Sequence, residues 1–206
     1  MYIPLFPLKL VVFPDEELNL HIFEPRYKEL LADIEKENLP FGILTFTDKL
    51  SGYGTEVVLE KVYKRYEDGR LDIKTRGRRV FRIQSFDNPM NRKQYAGGDV
   101  EFLKDDLRIP TPLQHEYVLY LKEMLHLLNF TPEIHMDTLT SYTFAHKVGL
   151  SLEEELELIK MESEKARTEF LITHFKRMIP VLKAAEQARA RIRQNGHFNH
   201  LDPLNF

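Results

Sequence analysis

The hydrophobic pattern of this chain changes its period once, and that change limits the folds available to it. Up to about residue 103, apolar side chains alternate with polar ones, as in segment 18–22 (LNLHI), which is typical of half-buried strands. Beyond Pro110 they recur every three or four residues, as in segment 112–129, which is typical of amphipathic helices. The sequence therefore predicts an α+β protein with a β-rich N-terminal half and an α-helical C-terminal half.

Six or seven short strands are predicted in the N-terminal half. The clearest signal is a hairpin, in which segments 55–67 and 70–75 are joined by the Asp-Gly pair at 68–69, because glycine accepts the positive φ of a tight turn. Segment 3–12 is interrupted by prolines and suits an edge strand or an extended arm. Many short strands with one short helix favour a small closed or nearly closed β-barrel.

Four further helices are predicted in the C-terminal half from capping signals and helical spacing. Thr111 and Asp137 are each placed to cap a helix. Ser151 and Glu154 have the spacing of a capping box at the start of the third helix. The last helix is amphipathic and is expected from about Ser163 towards Gln194.

The composition excludes several classes of site and partner. A formal charge of −3, from 29 basic and 32 acidic residues, creates no global attraction for nucleic acid or anionic lipid. The absence of cysteine excludes disulfides, thiolate nucleophiles and iron–sulfur clusters, and it fits a reducing cytoplasm. No stretch approaches the roughly 18 apolar residues needed to span a bilayer. We therefore expect a cytoplasmic protein without a membrane partner.

Motifs for catalysis, cofactors and metals are not found. The chain has no G-x-S-x-G nucleophile elbow, no dinucleotide fingerprint and no G-x-x-x-x-G-K-[ST] phosphate loop. Among eight histidines only His197 and His200 lie close together, with Asp202 nearby, whereas a metal site needs three or four ligands at one centre. We expect no catalytic residues, no cofactor and no metal, and so no enzyme.

Motifs at the start of the chain carry a resemblance to a known family. They are segments 3–8 (IPLFPL), 12–14 (VFP) and 18–27 (LNLHIFEPRY), followed in order by 41–43 (FGI), 68–70 (DGR), 76–83 (RGRRVFRI) and 150–154 (LSLEE). Together they resemble the N-terminal, substrate-binding domain of Lon proteases over roughly residues 1–180. The resemblance implies a PUA-like β pseudo-barrel followed by a helical bundle, and a role in capturing unfolded or tagged proteins.

The domain boundaries expected from this resemblance follow the change of period. They give a β-rich PUA-like subdomain at 1–108, a helical subdomain at 109–196 and a C-terminal tail at 197–206. The family's ATPase and protease machinery lies in domains for which this chain has no matching motif. The implied function is a stand-alone, non-catalytic binding module, an adaptor or holder of unfolded segments, with client proteins and a protease or chaperone as partners.

Some motif residues also have structural roles of their own. Pro25 can occupy the first position of a helix, where its missing N–H group costs nothing. Glu24 and Arg26 flank that position and can pair with each other. Gly77 predicts a bulge or turn that redirects the next strand.

A domain that captures unfolded chains needs exposed apolar and aromatic side chains. The candidates for peptide binding are Phe6, Phe13, Phe46, Tyr53, Tyr63 and Tyr66. The tail adds four large apolar residues that we expect to dock on this chain or on a neighbour, namely Phe198, Leu201, Leu204 and Phe206.

The alternative function is RNA binding through a basic patch, since PUA-like folds include RNA-binding proteins. Arg76, Arg78 and Arg79 are the centre of this patch. Acidic residues on the partner strand, among them Glu56 and Glu60, are expected to pair with it and to neutralise much of its charge. Protein binding is therefore the preferred hypothesis.

Overall fold

The computed structural model describes residues 1–47 and 50–196 of the 206-residue chain. Within them the strands are β1 (Tyr2–Leu8), β2 (Glu17–Ile22), β3 (Phe41–Phe46), β4 (Leu50–Arg65), β5 (Leu71–Ile83) and β6 (Ala96–Phe102). The α-helices are α1 (Pro25–Glu37), α2 (Thr111–Leu127), α3 (Leu152–Lys160) and α4 (Glu164–Gly196), and a single 3-10 turn covers Ala145–Lys147. The predicted α+β class is confirmed.

The chain forms two compact units. The first contains Met1–Leu107 and Tyr142–Glu164, and the second contains Arg108–Ser141 and the described chain from Lys165 onwards. The change of period predicts a boundary near residue 108, and the first stretch of the first unit ends at Leu107. Segment 142–164 is predicted to belong to the helical half, whereas in the structure it lies in the first unit. The expected tail at 197–206 lies outside the described residues.

The first unit is built on one mixed sheet that partly closes on itself. The strand order is β2-β5-β4-β3-β1-β6, and β5 also pairs with β6 at the opposite end of that order. The pairing of β1 with β3 is parallel, and the other pairings are antiparallel. The nearly closed sheet expected from the many short strands is therefore present.

Strand β1 shows how two prolines fit into this sheet. Its first half, with Pro4 opposite Gly97, pairs with β6, and its second half, with Pro7 opposite Leu44, pairs with β3. Leu5 alone belongs to both registers. Among the described strands each half thus has one neighbour, so a proline without an N–H group is tolerated on the other side. The predicted edge character holds for each half, but not for the strand as a whole.

Phe81 fills the space between the strands where the sheet closes. Its side chain is fully buried in a cluster with Leu5 and Leu44. A Cβ atom on Gly54 would lie 2.3 Å from the backbone oxygen of Ile43 and 2.6 Å from the Phe81 ring. The sheet can therefore approach Phe81 this closely only because position 54 has no side chain.

Gly77 introduces the predicted bulge in β5. Thr55 and Val57 of β4 are two residues apart, but their partners Val80 and Gly77 are three apart, so β5 carries one extra residue. A Cβ atom on Gly77 would lie 2.1 Å from the backbone oxygen of Phe13. This glycine thus allows the loop that follows β1 to pack directly against the bulge.

The helix predicted to start after Asp137 is not formed. Residues 136–138 form a turn, and residues 141–144 form a second turn that leads into the 3-10 helix. The ring of Tyr142 stacks on Phe13 at a centroid distance of 5.2 Å, and Val148 is buried. Packing in the first unit therefore sets the conformation of this segment and overrides its helical spacing.

The other predicted helix starts are largely confirmed. Pro25 is the first residue of α1, and Arg26 pairs with Glu24 at 2.7 Å. The Ser151 hydroxyl accepts a hydrogen bond from the Glu154 backbone N–H, and the Glu154 carboxylate accepts one from the Ser151 N–H, which is the predicted capping box. Helix α2 begins at Thr111 with no side-chain cap, so Thr111 is not the cap that was expected.

In the second unit α2 and α4 lie side by side and run in the same direction. Lys176 pairs with Glu116 at 2.8 Å, and Lys183 pairs with Glu123 at 2.6 Å, so contacts advance along both helices together. The Tyr117 ring stacks on Phe175 with a centroid distance of 6.0 Å. None of the described helices combines the length and the apolar character needed to cross a bilayer.

His146 connects segment 142–164 to the start of β2 within the first unit. Its Nδ1 lies 2.7 Å from a Glu155 carboxylate oxygen, and its Nε2 lies 3.1 Å from a Glu16 carboxylate oxygen. Burial by itself lowers the pKa of His146, but the hydrogen bonds to Glu155 and Glu16 outweigh burial and raise that pKa to about 9. The ring also lies 4.5 Å from the Phe13 ring.

We predict that Gly54→Ala lowers the free energy of unfolding by about 1 to 3 kcal/mol, because the added methyl group meets backbone and a closely packed ring. Gly97→Ala is the matched control, since the three atoms nearest to its Cβ atom would belong to the Tyr2 and Met90 side chains and not to backbone. Gly97→Ala should lower the free energy of unfolding by less than about 1 kcal/mol. Urea unfolding measures both, and equal losses would contradict the role given to position 54.

We predict that His146 stabilises the fold in a pH-dependent way. A pKa raised from 6.5 to about 9 adds stability that is complete below pH 6.5 and is lost as pH rises through 9. The advantage of the native chain over His146→Gln in free energy of unfolding should therefore fall by about 1 to 3 kcal/mol between about pH 6 and pH 10.

Chemical unfolding at these two pH values measures this advantage. His135→Gln is the control, because the exposed His135 lies 3.8 Å from its acidic partner Glu133. A pH-independent difference for His146→Gln would show that the ring acts by packing alone.

Candidate functional site

Two of the six predicted peptide-binding residues are core residues. Phe6 is 5% exposed and stacks on Tyr27 with a centroid distance of 3.7 Å, and Phe13 is 1% exposed. Apolar clusters cover both faces of β1, since Leu5 lies in one and Phe6 in the other. The expectation that the opening arm presents Phe6 and Phe13 on the surface is therefore wrong.

The other four residues fall into two separate sets. Phe46 is 42% exposed, and Tyr53 is half-buried with the Lys160 ammonium 5.5 Å from its ring centroid. Tyr63 is 53% exposed, and Tyr66 is half-buried near the other end of the same long strand. Ten residues of extended chain, from 53 to 63, lie between the sets, a contour length of roughly 30 Å. The six candidates do not form one site.

Tyr63 owes its exposure to a local irregularity of β4. Val62 and Lys64 are two residues apart, but they oppose the adjacent residues Ile73 and Asp72, so Tyr63 is the extra residue of a β-bulge. The Lys61 ammonium lies 5.1 Å from the centre of its ring. Bulges often redirect side chains at binding sites, and this one presents an aromatic ring to solvent.

Tyr66 belongs to a group of rings that are not among the predicted candidates as a group, since the others are distant from Tyr66 in the sequence. The His21 ring lies 5.8 Å from the Tyr66 ring and 6.1 Å from the Phe23 ring. Phe23 is 60% exposed and follows directly after β2. We call His21, Phe23 and Tyr66 the aromatic cluster. The positions of His21 and Phe23 in the sequence could have indicated this cluster, since His21 lies on the polar face of an alternating strand and Phe23 follows that strand.

A carboxylate holds the aromatic cluster in place. Asp72 accepts a hydrogen bond from the Tyr66 hydroxyl at 2.7 Å, and its other oxygen lies 2.6 Å from His21 Nδ1. These hydrogen bonds, the one to His21 first, lower the pKa of Asp72, and the bond to Asp72 raises the pKa of Tyr66. Lys64 and Arg70 lie 4.4 and 4.9 Å from the Tyr66 ring. The cluster is therefore ordered and bordered by cations.

Strand β2 has an open edge beside this cluster. Among the described residues β2 pairs with β5 alone, in an unbroken register from Glu17 to Ile22. The Gly77 N–H donates to the Glu16 carbonyl, which marks residue 16 as a hydrogen-bonded position of this pairing. Antiparallel pairing alternates, so the backbone groups of residues 17, 19 and 21 point away from β5.

A second free edge exists on β4, but it is poorly suited to pairing. Strand β3 pairs with β4 only as far as Val57, so segment 58–65 has β5 as its one described neighbour. Register shifts interrupt this segment between Leu59 and Lys61 and again around Tyr63. Bulges and lysines discourage strand addition at an edge. Of these two edges among the described strands, that of β2 is therefore the regular one.

The basic patch is largely neutralised, as the acidic residues of the partner strand predict. Arg76 pairs with Glu17 and Glu60, and the Arg79 guanidinium donates two hydrogen bonds to Glu56 at 2.9 and 3.0 Å. Within the described residues, Arg78 is exposed and makes no ion pair. Within the part of the chain that the structure describes, this patch thus offers one unpaired arginine and not the row of free cations that tracks a nucleic-acid backbone.

No group of three metal-ligating side chains occurs among the residues that the structure describes. The histidines at 197 and 200 and the acid at 202 lie outside those residues. The same holds for the four apolar tail residues Phe198, Leu201, Leu204 and Phe206.

Solved structures of Lon N-terminal domains share this architecture. The crystal structure of a Lon N-terminal domain protein from Xanthomonas campestris matches with a TM-score of 0.67 and 26% identity, over 84% of this chain and 98% of that chain. The N-terminal domain of the Mycobacterium avium complex Lon protease matches with a TM-score of 0.64, over 85% of this chain and 98% of that chain. Its 14% identity supports a likeness of fold alone. The fold is thus that of Lon N-terminal domains.

The family can be stated from the sequence match. Residues 2–177 match the family described as the ATP-dependent protease La (LON) substrate-binding domain, so the chain belongs to that family. The resemblance seen in the opening motifs is confirmed. The match concerns the substrate-binding domain and includes no ATPase or protease domain. No curated protein matches the chain.

Proposed function

We propose that this chain is a non-catalytic, cytoplasmic module that binds extended segments of client proteins, as an adaptor or a holder of unfolded segments. The observation that carries the proposal is the open, regular edge of β2 next to the exposed aromatic cluster. A protease or chaperone would receive the held client. Membership of the Lon substrate-binding family supports a role in binding protein substrates.

The open edge explains how many different sequences can be bound. A client segment that adds to β2 as a further strand would bond to the outward backbone groups of residues 17, 19 and 21. Such main-chain hydrogen bonds are independent of the client's side chains, so they give affinity without requiring a motif. An unfolded chain has these groups available, whereas a folded protein has already paired most of them.

The aromatic cluster adds apolar contact to this backbone pairing. A strand added along β2 would pass Phe23, because Phe23 follows the last residue of β2. The cluster presents ring faces and edges that accept many apolar side chains without a defined pocket. Selectivity would then favour apolar, extended segments over polar ones.

The size of this surface favours weak, reversible binding. Strand β2 has six residues, and three of them direct their backbone groups outwards. A hydrogen bond contributes only about 0.5 to 1.5 kcal/mol net, and the client loses conformational entropy when it is ordered. Such a balance suits a module that holds a segment and then releases it.

RNA binding is less well supported. Ion pairs occupy Arg76 and Arg79, and the exposed Arg78 offers a single charge at that place. Phosphate contacts weaken steeply as salt is added, whereas apolar and backbone contacts do not. The salt dependence of binding therefore separates the two functions.

We predict that Asn19→Pro weakens client binding by roughly three- to tenfold, because proline removes an outward N–H group and adds bulk at the edge. The pairing with β5 should survive, since the lost donor points away from it. Asn19→Ala keeps the N–H group and should bind as the native chain does. Fluorescence anisotropy with labelled, reduced and carboxymethylated α-lactalbumin measures the affinity. Equal affinity of a folded Asn19→Pro variant would overturn strand addition.

We predict that Phe23→Ser weakens binding of the same client by roughly fivefold or more, because the ring supplies the largest exposed apolar surface beside β2. Leu119→Ser is the matched control, since Leu119 is exposed in the second unit. Circular dichroism checks that both variants fold. Affinity should change little with salt, and a steep loss would instead indicate binding to phosphates or acidic groups.

A further inference from the structure

The second unit contains a cavity that the proposed binding surface does not use. It has a volume of about 330 Å³ and lies at the C-terminal end of α2. Its apolar lining comes from Leu125 of the helix and from Phe130, Pro132 and Ile134 of the loop that follows. Leu125 is buried, while Phe130 remains partly exposed. The cavity is large enough for one or two large apolar side chains.

The two titratable side chains that line this cavity, Lys122 and His126, are both basic in type. Lys122 and His126 lie four residues apart on α2, so they share one face of the helix. Neither makes an ion pair within the part of the chain that the structure describes. Nearby acids are engaged elsewhere, since Glu123 pairs with Lys183 and Glu133 lies close to His135. The cavity therefore suits a ligand that is apolar and carries a carboxylate.

We propose that segment 197–206 of the same chain occupies this cavity. The segment lies outside the described residues, and its sequence (HFNHLDPLNF) contains four large apolar residues, one acid and no lysine or arginine. One apolar side chain would rest on the lining, with Asp202 next to Lys122 and His126. The proposal concerns the second unit alone and is independent of client binding at β2.

The direction of the helices places the segment within reach. Lys183 lies next to Glu123, and the two helices run in the same direction, so residue 186 is approximately level with His126. Gly196, where α4 ends, is ten residues further along, which is about 15 Å of helix. The six residues from Gly196 to Asp202 can span up to about 20 Å. The segment can therefore fold back as far as the cavity.

Tethering makes such an interaction effective even if its intrinsic affinity is low. A short linker gives the segment a high effective concentration at the cavity, commonly in the millimolar range. A free peptide of the same chemistry would then have to compete with it. The segment would cover the apolar lining in the absence of any partner.

The absence of tryptophan from this chain allows a direct test. Four full-length variants, Phe198→Trp, Leu201→Trp, Leu204→Trp and Phe206→Trp, each provide a single fluorescent reporter. We expect at least one of them to show blue-shifted emission and protection from acrylamide quenching at every protein concentration. Solvent-exposed emission from all four would overturn the proposal, and protection that disappears on dilution would show that a second copy supplies the segment instead.

Charge exchange then tests the location. In the protected reporter, Lys122→Glu and Asp202→Lys should each weaken docking by roughly two- to fivefold, the range of an exposed ion pair. The two changes together should restore protection. Lys147→Glu, in the first unit, is the charge control and should change nothing. Failure of the double exchange to restore protection would overturn the pairing of Asp202 with this cavity.

The apolar lining is tested in the same background. Ile134→Asp should raise acrylamide quenching of the protected reporter, whereas Leu119→Asp, at an exposed position of the same unit, should not. Circular dichroism shows whether Ile134→Asp still folds. If it does not, the charge exchange decides alone, because Lys122 is exposed and its replacement leaves the packing intact. Unchanged quenching in a folded Ile134→Asp variant would show that the segment docks elsewhere.

Discussion

The close approach of three strands around Phe81 is the constraint on which the first unit depends. Cβ atoms at Gly42 and Gly54 would lie 2.7 and 2.6 Å from the Phe81 ring, so the strands reach this distance only without side chains there. The closure requires β5 to pair with β4 on one side and with β6 on the other. Interior packing is dense enough that an added methyl group here has no free volume to enter. The pairing of these strands and the packing of the Phe81 ring therefore depend on each other.

The same closure leaves β2 with an open edge. Two strands share the side of β5 that faces away from β4. Strand β2 pairs with residues 71–76 of β5, and β6 pairs with residues 81–83 of β5. The bulge after Gly77 separates the two partners and provides room for the loop before β2. Strand β6 returns to β1 and completes the closed part, whereas β2 has no second neighbour among the described strands. The candidate binding edge thus results from the pairing of one side of β5 with two different strands, β2 and β6.

Several features set by neighbouring residues were predictable from the sequence, although the caps expected at Thr111 and Asp137 did not form, and features set by distant contacts were not predictable. Pro25, the Asp-Gly turn at 68–69 and the Ser151 capping box act within about four residues, and each lies where it was predicted. The helix expected after Asp137 rested on a capping residue and on helical spacing, and packing of Tyr142 against Phe13 replaced it. The resemblance to Lon domains supplied the order of elements. It did not indicate that segment 142–164 returns to the first unit.

The candidate site shows why aromatic residues alone do not locate a surface. Phe6 and Tyr63 both lie in strands, but apolar clusters cover both faces of β1, whereas the end of β4 extends beyond β3 and carries bulges. Whether a ring is exposed therefore depends on the lengths and registers of neighbouring strands, which are long-range properties. His21 contacts Tyr66 because the register of β2 and β5 places His21 opposite Asp72, the partner of the Tyr66 hydroxyl. A site assembled across strand pairings in this way requires the pairing to be known before its residues can be grouped.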